Sequence, residues 1–215
     1  MPDLDEKLPD IGFSVEELQY LLSVAPGESG ATSGEMLNVG PVPPVDETLL
    51  VGGAALLARG QLVLDDDGRF APVDAALVVA FILTTATRWT SITGATEDTA
   101  DTGAYIESPS GGLLAQPRTL GTWWFVFLDP AAPPAEILVE TVMGLIGEAK
   151  TSGALARTIT ADDDRSFSVR RTGDGWAHAY GATGSEMPDL ISMQSTREQV
   201  SLDLAAFIAR FPAAP

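Results

Sequence analysis

The chain has 215 residues, with 30 acidic and 12 basic side chains, and its net charge is −18. Such a charge excludes a nucleic-acid-binding protein and an anionic membrane surface as partner, because both affinities depend on Lys and Arg. Hydrophobic residues make up 45% of the chain, which excludes an acidic disordered tail. We therefore expect a folded protein in which residues 1–215 form a single domain.

The negative charge is concentrated in the first half of the chain. Residues 1–107 contain 18 acids and 4 bases, which gives −14, whereas residues 108–215 contain 12 acids and 8 bases, which gives −4. This distribution indicates either a solubilising role for the charge or a basic partner for the first half.

The chain contains no cysteine, which excludes disulfides, thiolate catalysis and cysteine-ligated metal sites. Residues 1–10 are acidic and lack the apolar segment of a signal peptide. The most apolar run, residues 73–86, is too short to span a bilayer. These observations predict a cytoplasmic protein.

The first part of the chain predicts helices around a short hairpin. A helix begins after Ser14, which forms a capping box with Glu17, and a Gly-, Ser- and Pro-rich loop follows over residues 26–44. Further helices are predicted over residues 45–58 and 72–85, on either side of a hairpin with an acidic turn. This arrangement is typical of winged-helix proteins, but a DNA-reading wing is basic, so we interpret it as a scaffold.

The second half of the chain predicts strands interrupted by two amphipathic helices. One helix covers residues 134–147, and the other begins near Ser195, which forms a capping box with Glu198. Its buried stripe ends at Phe211. The predicted strands cover residues 88–93, 104–108, 112–117, 121–128, 155–160, 166–172 and 176–180.

These elements together predict an α+β fold. Residues 10–87 are expected to form a helical, winged-helix-like N-terminal part. Residues 88–150 and 151–215 are each expected to form a strand-strand-helix unit, in which the helix covers its own strands. The two units would build one mostly antiparallel sheet with pseudo-two-fold symmetry.

The strand that contains two adjacent tryptophans is apolar on both faces. Alternation places Trp123, Phe125 and Phe127 on one of these faces. Such a strand is typical of the centre of a sheet that is covered on both sides. The alternative is that one face binds an apolar partner helix, and on that hypothesis these three side chains are partner-binding residues.

The last predicted strand has an aromatic face and a small-residue face. Trp176, His178 and Tyr180 share the first, whereas Ala177 and Ala179 share the second. One face is therefore expected to pack tightly and the other to be open. The aromatic side chains are either a half-buried sheet face or further partner-binding residues. His178 is the only histidine, and no motif places a Ser or a carboxylate beside it, so catalysis is not favoured.

Two runs of aspartate, residues 65–67 and 162–164, lie where hairpin turns are predicted, and Asp is a common turn residue. Neither run has EF-hand spacing. The sequence also lacks a phosphate loop, a dinucleotide fingerprint, a nucleophile elbow and a zinc-protease helix. We therefore expect no enzyme, no cofactor and no metal site.

A short segment of the first half carries a family resemblance. Residues 53–63 read Gly-Ala-Ala-Leu-Leu-Ala-Arg-Gly-Gln-Leu-Val, and an acidic turn, Gly68 and the run Ala-Pro-Val-Asp at residues 71–74 follow. This order resembles the N-terminal half of the EspG family, the ESX (type VII) secretion-associated chaperones of actinobacteria. There a helix ends in a similar phrase before a hairpin and another helix. The order of the later elements is similar as well, so the resemblance covers most of the chain.

The resemblance implies a non-catalytic cytoplasmic chaperone or adaptor. Such a protein binds the apolar helical tip of a secreted PE–PPE-type heterodimer and targets it for export. The charge supports an alternative, an acidic immunity or inhibitor protein that covers the basic active site of a toxin. The two hypotheses differ in salt dependence, because salt slows an electrostatic association and hardly changes an apolar contact.

Overall fold

The computed structural model describes residues 10–40, 47–129, 131–147, 151–173, 175–183 and 195–210, without the side chains of Glu47, Thr48 and Thr172. Its six helices are α1 (Val15–Ser23), α2 (Glu28–Met36), α3 (Glu47–Ala58), α4 (Asp74–Thr85), α5 (Pro134–Ile146) and α6 (Arg197–Ala209).

Ten strands accompany these helices, and eight of them belong to a large antiparallel sheet. They are β1 (Ile11–Ser14), β2 (Leu62–Leu64), β3 (Phe70–Pro72), β4 (Arg88–Thr96), β5 (Ala100–Ser108), β6 (Gly111–Arg118), β7 (Thr122–Phe127), β8 (Thr151–Thr160), β9 (Asp164–Thr172) and β10 (Gly175–Ala182). The predicted α+β class is confirmed, and the strands expected in the second half are all present.

The contacts divide the chain into two compact units. Unit 1 contains residues 1–87 and 106–129, and unit 2 contains residues 88–105 and 130–215. No helix of the part that the structure describes is long and apolar enough to cross a membrane.

Unit 1 is built around α1, which begins at the predicted capping box. The Ser14 side chain accepts a hydrogen bond from the backbone N–H of Glu17 at 3.2 Å, and the Glu17 carboxylate accepts one from the N–H of Ser14 at 2.8 Å. Leu18, Leu21 and Leu22 are buried on the side of α1 that packs among α2, α3 and α4. Both orphan donors of the helix start are thereby satisfied, which stabilises the entry of the chain into α1.

The contact between α1 and α3 is close because α3 contains a glycine pair. A Cβ atom on Gly52 would lie 2.1 Å from the backbone oxygen of Glu16, and one on Gly53 would lie 2.7 Å from the Tyr20 ring. The pair, which weakens α3 as an isolated helix, is required by the packing of its backbone onto α1.

Unit 1 differs from the sequence prediction at two elements. The predicted loop over residues 26–44 contains α2, which packs against α4. The Ser33 hydroxyl of α2 is buried and donates to the Leu83 carbonyl at 2.7 Å, a tertiary contact that overrides the low helix propensity of this Gly- and Ser-rich segment. The chain before α1 forms β1, which was not predicted and which pairs with β7. Val45, the predicted start of α3, lies outside the described residues.

The hairpin of β2 and β3 is confirmed, and its aspartates act as turn residues. The Asp65 carboxylate accepts hydrogen bonds from the backbone N–H groups of Asp67 at 3.0 Å and Arg69 at 2.7 Å. Gly68 has φ +75°, a conformation that favours glycine. The turn is therefore closed by its own side chains.

Unit 2 contains four consecutive antiparallel strands in the order β4-β8-β9-β10. Helix α5 packs on β4 and β8, helix α6 packs on β9 and β10, and the two helices contact each other. Gly94 allows the close approach of α5, because a Cβ atom there would lie 2.6 Å from the Cβ of Leu145. The two helices thus share one face of this strand group, whereas we expected α5 to cover only the strands that precede it.

Helix α6 starts one residue later than predicted. Thr196, not Ser195, is the N-cap, and its side chain accepts a hydrogen bond from the backbone N–H of Gln199 at 3.2 Å. The predicted buried stripe is confirmed from Val200 to Ile208, and Phe211 lies outside the described residues.

An ion pair between β8 and β9, next to the turn that joins them, predicts that the stability of the fold is sensitive to acid. The Arg157 guanidinium donates to both Asp164 carboxylate oxygens, at 2.9 and 2.6 Å, and this hydrogen bonding is the main reason why the pKa of Asp164 is lowered. A lowered folded-state pKa stabilises the fold above the ordinary carboxyl value, and this contribution is lost as the pH falls below about 4.

We therefore expect the free energy of unfolding of Asp164→Asn to fall less than that of the parent as the pH is lowered below about 4. Urea unfolding of the parent and the variant at a series of pH values measures this difference. Asp162→Asn, an exposed residue of the same turn, is the control and should keep the parent profile. Equal acid sensitivity in the parent and Asp164→Asn would contradict the assignment.

Candidate functional site

In unit 1 the predicted site residues lie on the buried row of β7. Phe125 is fully buried, and its ring centroid lies 5.9 Å from that of Phe13, which is also buried. Trp123 and Phe127 lie in the same row and are half-buried. Phe125 therefore belongs to the core of unit 1, in agreement with the interpretation of this strand as a packed one. Trp123 and Phe127 remain predicted partner-binding residues.

The opposite row of β7 contains the more exposed tryptophan. Trp124 is 38% exposed, and its ring lies over Gly12 of β1, where a Cβ atom would come within 3.0 Å of the ring. Val126 is half-buried in the same row. The sequence pattern predicted that this face of β7 is apolar but assigned no partner-binding residue to it.

In unit 2 the predicted aromatic row of β10 lies beneath α6. Tyr180 and His178 both stack on the buried Phe167, with ring centroids 6.4 and 5.4 Å apart from it. Phe207 of α6 contacts Phe167 and Tyr180 from above, at 5.6 and 6.5 Å. Trp176 lies at the other end of the row, with the Arg171 guanidinium 5.7 Å from its ring centroid. Helix α6 covers this row only in part, because Tyr180 stays 53% exposed.

The single histidine, His178, contacts α6. Its Nε2 lies 3.1 Å from Asp203 Oδ2 of α6, its side chain is 10% exposed, and its Nδ1 has no hydrogen-bond partner within the described residues. No serine or threonine hydroxyl is hydrogen-bonded to His178 in that part of the chain. The geometry is that of a packing residue with one polar contact to α6.

The face opposite the helices is the open one in unit 2. We call it the open sheet face and define it by ten residues that alternate with the buried row on β4, β8, β9 and β10; Trp89, on the same side at the start of β4, is buried and does not belong to it. Its members are Thr93, Ala95, Gly153, Leu155, Arg157, Ser166, Ser168, Arg170, Ala177 and Ala179. All of them are half-buried or exposed, whereas Ile92, Ala154, Ala156, Phe167 and Val169 of the opposite row are buried.

The open sheet face has a floor of small side chains around one leucine. Leu155 is 39% exposed and lies directly opposite Ser168 of β9 and Thr93 of β4. Beside it, a shallow depression of about 390 Å³ is lined by residues that include Ala95, Gly153 and Ala177. An apolar, low floor of this kind lets the backbone of a partner helix come close to the sheet.

Charged side chains border this floor, among them Glu97, which lines the depression. Arg157 is held by its two hydrogen bonds to Asp164, and Arg170 is exposed. The sequence did point to a small-residue face at Ala177 and Ala179. Leu155, which starts a predicted strand, was not among the predicted site residues. The partner-binding role predicted for the aromatic face remains a prediction.

The aspartate runs do not form a metal centre in the described part of the chain, where no group of three or more metal-ligating side chains occurs. Asp163 accepts from Arg165, and Asp164 accepts from Arg157. These carboxylates serve turns and ion pairs.

No family model and no curated protein matches the sequence. Among solved structures, the fold is similar to that of the Mycobacterium tuberculosis type VII secretion system chaperone EspG5, whose structure was solved in complex with the PE25–PPE41 dimer. The TM-score is 0.60 and the sequence identity is 11%, and the match covers 96% of this chain and 98% of that one. At this identity the similarity shows a shared fold.

Proposed function

We propose that the protein is a non-catalytic chaperone or adaptor that holds an apolar helical segment of a protein partner against the open sheet face. The observation that carries the proposal is the exposed Leu155 in a floor of Gly, Ala and Ser side chains, on the one face of the unit 2 strands that α5 and α6 leave uncovered. An apolar helix placed there would bury Leu155 and contact the backbone of the sheet closely.

The fold similarity supports a partner of a particular kind. The similar protein EspG5 is a type VII secretion chaperone in complex with the PE25–PPE41 dimer. We therefore propose that the partner is a helical, secreted heterodimer of the PE–PPE type and that binding takes place in the cytoplasm.

The charge of the chain fits this role. A protein that exposes an apolar surface before its partner arrives is prone to self-association, and a net charge of −18 opposes this by mutual repulsion.

Leu155→Gln is expected to weaken the affinity for such a heterodimer by about tenfold. The wild-type leucine is removed from water on binding, which is favourable, and the glutamine does not provide this hydrophobic contribution. Co-expressed PE–PPE-type heterodimers, with PE25–PPE41 among them, are titrated against the purified chain by surface plasmon resonance. The unfolding midpoints of variant and parent are compared as well, because the side chain is 39% exposed and the rest of it is packed in the fold.

Leu202→Gln provides a matched control, since Leu202 is also an exposed leucine of unit 2 but lies on α6. It should leave the affinity within about twofold. The proposal is wrong if Leu155→Gln and the parent bind equally, or if no such heterodimer binds. An association rate that falls steeply with salt would instead favour the immunity-protein alternative.

A further inference from the structure

Helix α3 of unit 1 exposes an apolar stripe along its whole length. Leu50 is 66% exposed, Val51 and Leu57 are exposed as well, and Ala54 and Ala58 complete the stripe. The spacing of i, i+1, i+4, i+7 and i+8 places these five residues on one side of the helix.

The opposite side of α3 is fully used by the fold. Leu49 and Leu56 are buried, and Gly52 lies against the backbone of α1. A helix that is apolar on all sides is normally buried on all sides. In the described part of the chain, α3 packs mainly against α1 and β2, and its outer apolar residues are left exposed, as at the interaction surface of a protein.

The hairpin that follows α3 adds apolar side chains next to acidic ones. Leu64 and Phe70 are opposite each other in the strand pair and are both exposed. The turn between them contains Asp65, Asp66 and Asp67. Three residues separate the hairpin from α3, and the N–H of Gln61 donates a hydrogen bond to the Leu56 carbonyl at 2.8 Å.

The charge of this region selects among possible occupants. Residues 47–87 contain five acids and two bases, and one of these bases, Arg59, is hydrogen-bonded to Glu17. A second copy of the chain would bring the same acidic turn and another −18 of charge to the interface, and an anionic membrane would be repelled as well. Complementarity requires a partner whose apolar residues are bordered by Lys and Arg.

We propose that the stripe on α3 and the adjoining hairpin form a second docking surface, which binds an amphipathic helix with a basic border. Its apolar side contacts Leu50, Val51 and Leu57. Its lysines and arginines lie next to the aspartates of the hairpin turn. This surface is built from residues of unit 1, whereas the open sheet face is built from residues of unit 2.

A synthetic peptide tests the surface directly. A labelled helical peptide of about 18 residues, composed of Leu on one side and Lys on the other, is titrated against the full chain by fluorescence anisotropy. We expect the double variant Leu50→Gln with Val51→Gln to bind it about tenfold more weakly than the parent. The double variant Asp66→Asn with Asp67→Asn should slow association at low salt and leave the unfolding midpoint unchanged.

Leu202→Gln is again the matched control, because Leu202 is 64% exposed on a helix and stands outside the stripe. It should leave the peptide affinity within about twofold. The proposal is overturned if the Leu50 and Val51 variant binds the peptide as tightly as the parent, or if the same peptide with Glu in place of Lys binds equally well. Self-association of the parent that this variant abolishes would assign the stripe to a second copy and would also overturn it.

Discussion

Gly52→Ala is expected to lower the free energy of unfolding by about 3 kcal/mol. The added Cβ would lie 2.1 Å from the Glu16 backbone oxygen and 2.6 Å from its carbonyl carbon. Because both atoms belong to the backbone of α1, no side-chain rotation relieves the overlap, and α3 has to move away from α1. The loss therefore outweighs the gain of about 1 kcal/mol that alanine brings to a helix. Urea denaturation monitored by tryptophan fluorescence measures the difference.

A second glycine in a helix supplies the matched control. Gly144 lies inside α5, and a Cβ atom there would have no neighbour within 4 Å. Gly144→Ala should therefore stabilise unit 2 by up to about 1 kcal/mol through helix propensity alone. If the two substitutions changed stability in the same direction, the packing explanation for the glycine pair would be wrong.

Arg59→Ala is the other substitution for which we expect a large loss, of about 2 kcal/mol. Glu17 is only 4% exposed, and both of its carboxylate oxygens accept hydrogen bonds from Arg59, at 2.9 and 3.0 Å. Removing the guanidinium leaves a buried carboxylate without its cation, which costs about 3–5 kcal/mol when both partners are buried. The partial exposure of Arg59 reduces this figure.

The contribution of the pair can be separated from that of the arginine side chain by a double-mutant cycle with Glu17→Gln. In the Glu17→Gln background, Arg59→Ala should cost much less, because the residue left behind is neutral. Arg165→Ala, which breaks a surface ion pair with Asp163, should cost under about 1 kcal/mol. Additive effects of the Arg59 and Glu17 substitutions would refute the coupling.

The sequence predicted most elements of the fold because local signals and tertiary packing agree there. The capping box at Ser14, the turn at Asp65 and the period-2 pattern of the later strands each have one local interpretation. The segment of α2 contains the opposite signals, since its Gly and Ser residues favour a loop. Its helical state depends on Ser33 and on packing with α4, about 50 residues away in the chain.

The candidate site was harder to predict, because alternation shows which residues share a face but not which face is covered. Trp176, His178 and Tyr180 share one face as predicted, and α6 packs on that face but leaves Tyr180 53% exposed. A large aromatic side chain can pack against a helix of its own chain or against a partner, and the sequence does not distinguish the two. The open face is recognised instead by Leu155 among small neighbours, a signal that depends on strand register.

Arg59 lies in the segment, residues 53–63, whose sequence resembles the EspG family, and the structure shows what this arginine contacts. Its guanidinium joins the end of α3 to the start of α1 through Glu17, and its carbon Cζ lies 5.5 Å from the centroid of the Phe13 ring. Gly60 after it has φ +70° and ends the helix. Arginine and glycine at these positions thus each have a physical role in the turn from α3 to the hairpin.

The same arginine has a consequence for aggregation. Strand β1 has one neighbour in the described structure, β7, so its other side is a free strand edge. Arg59 donates a hydrogen bond to the Gly12 carbonyl of β1 at 3.0 Å. A polar group of the edge is thereby occupied by a charged side chain, and a β-strand from another molecule has no regular ladder to extend there. We therefore expect Arg59 to hinder edge-to-edge pairing of β1 with another molecule, in addition to stabilising the fold.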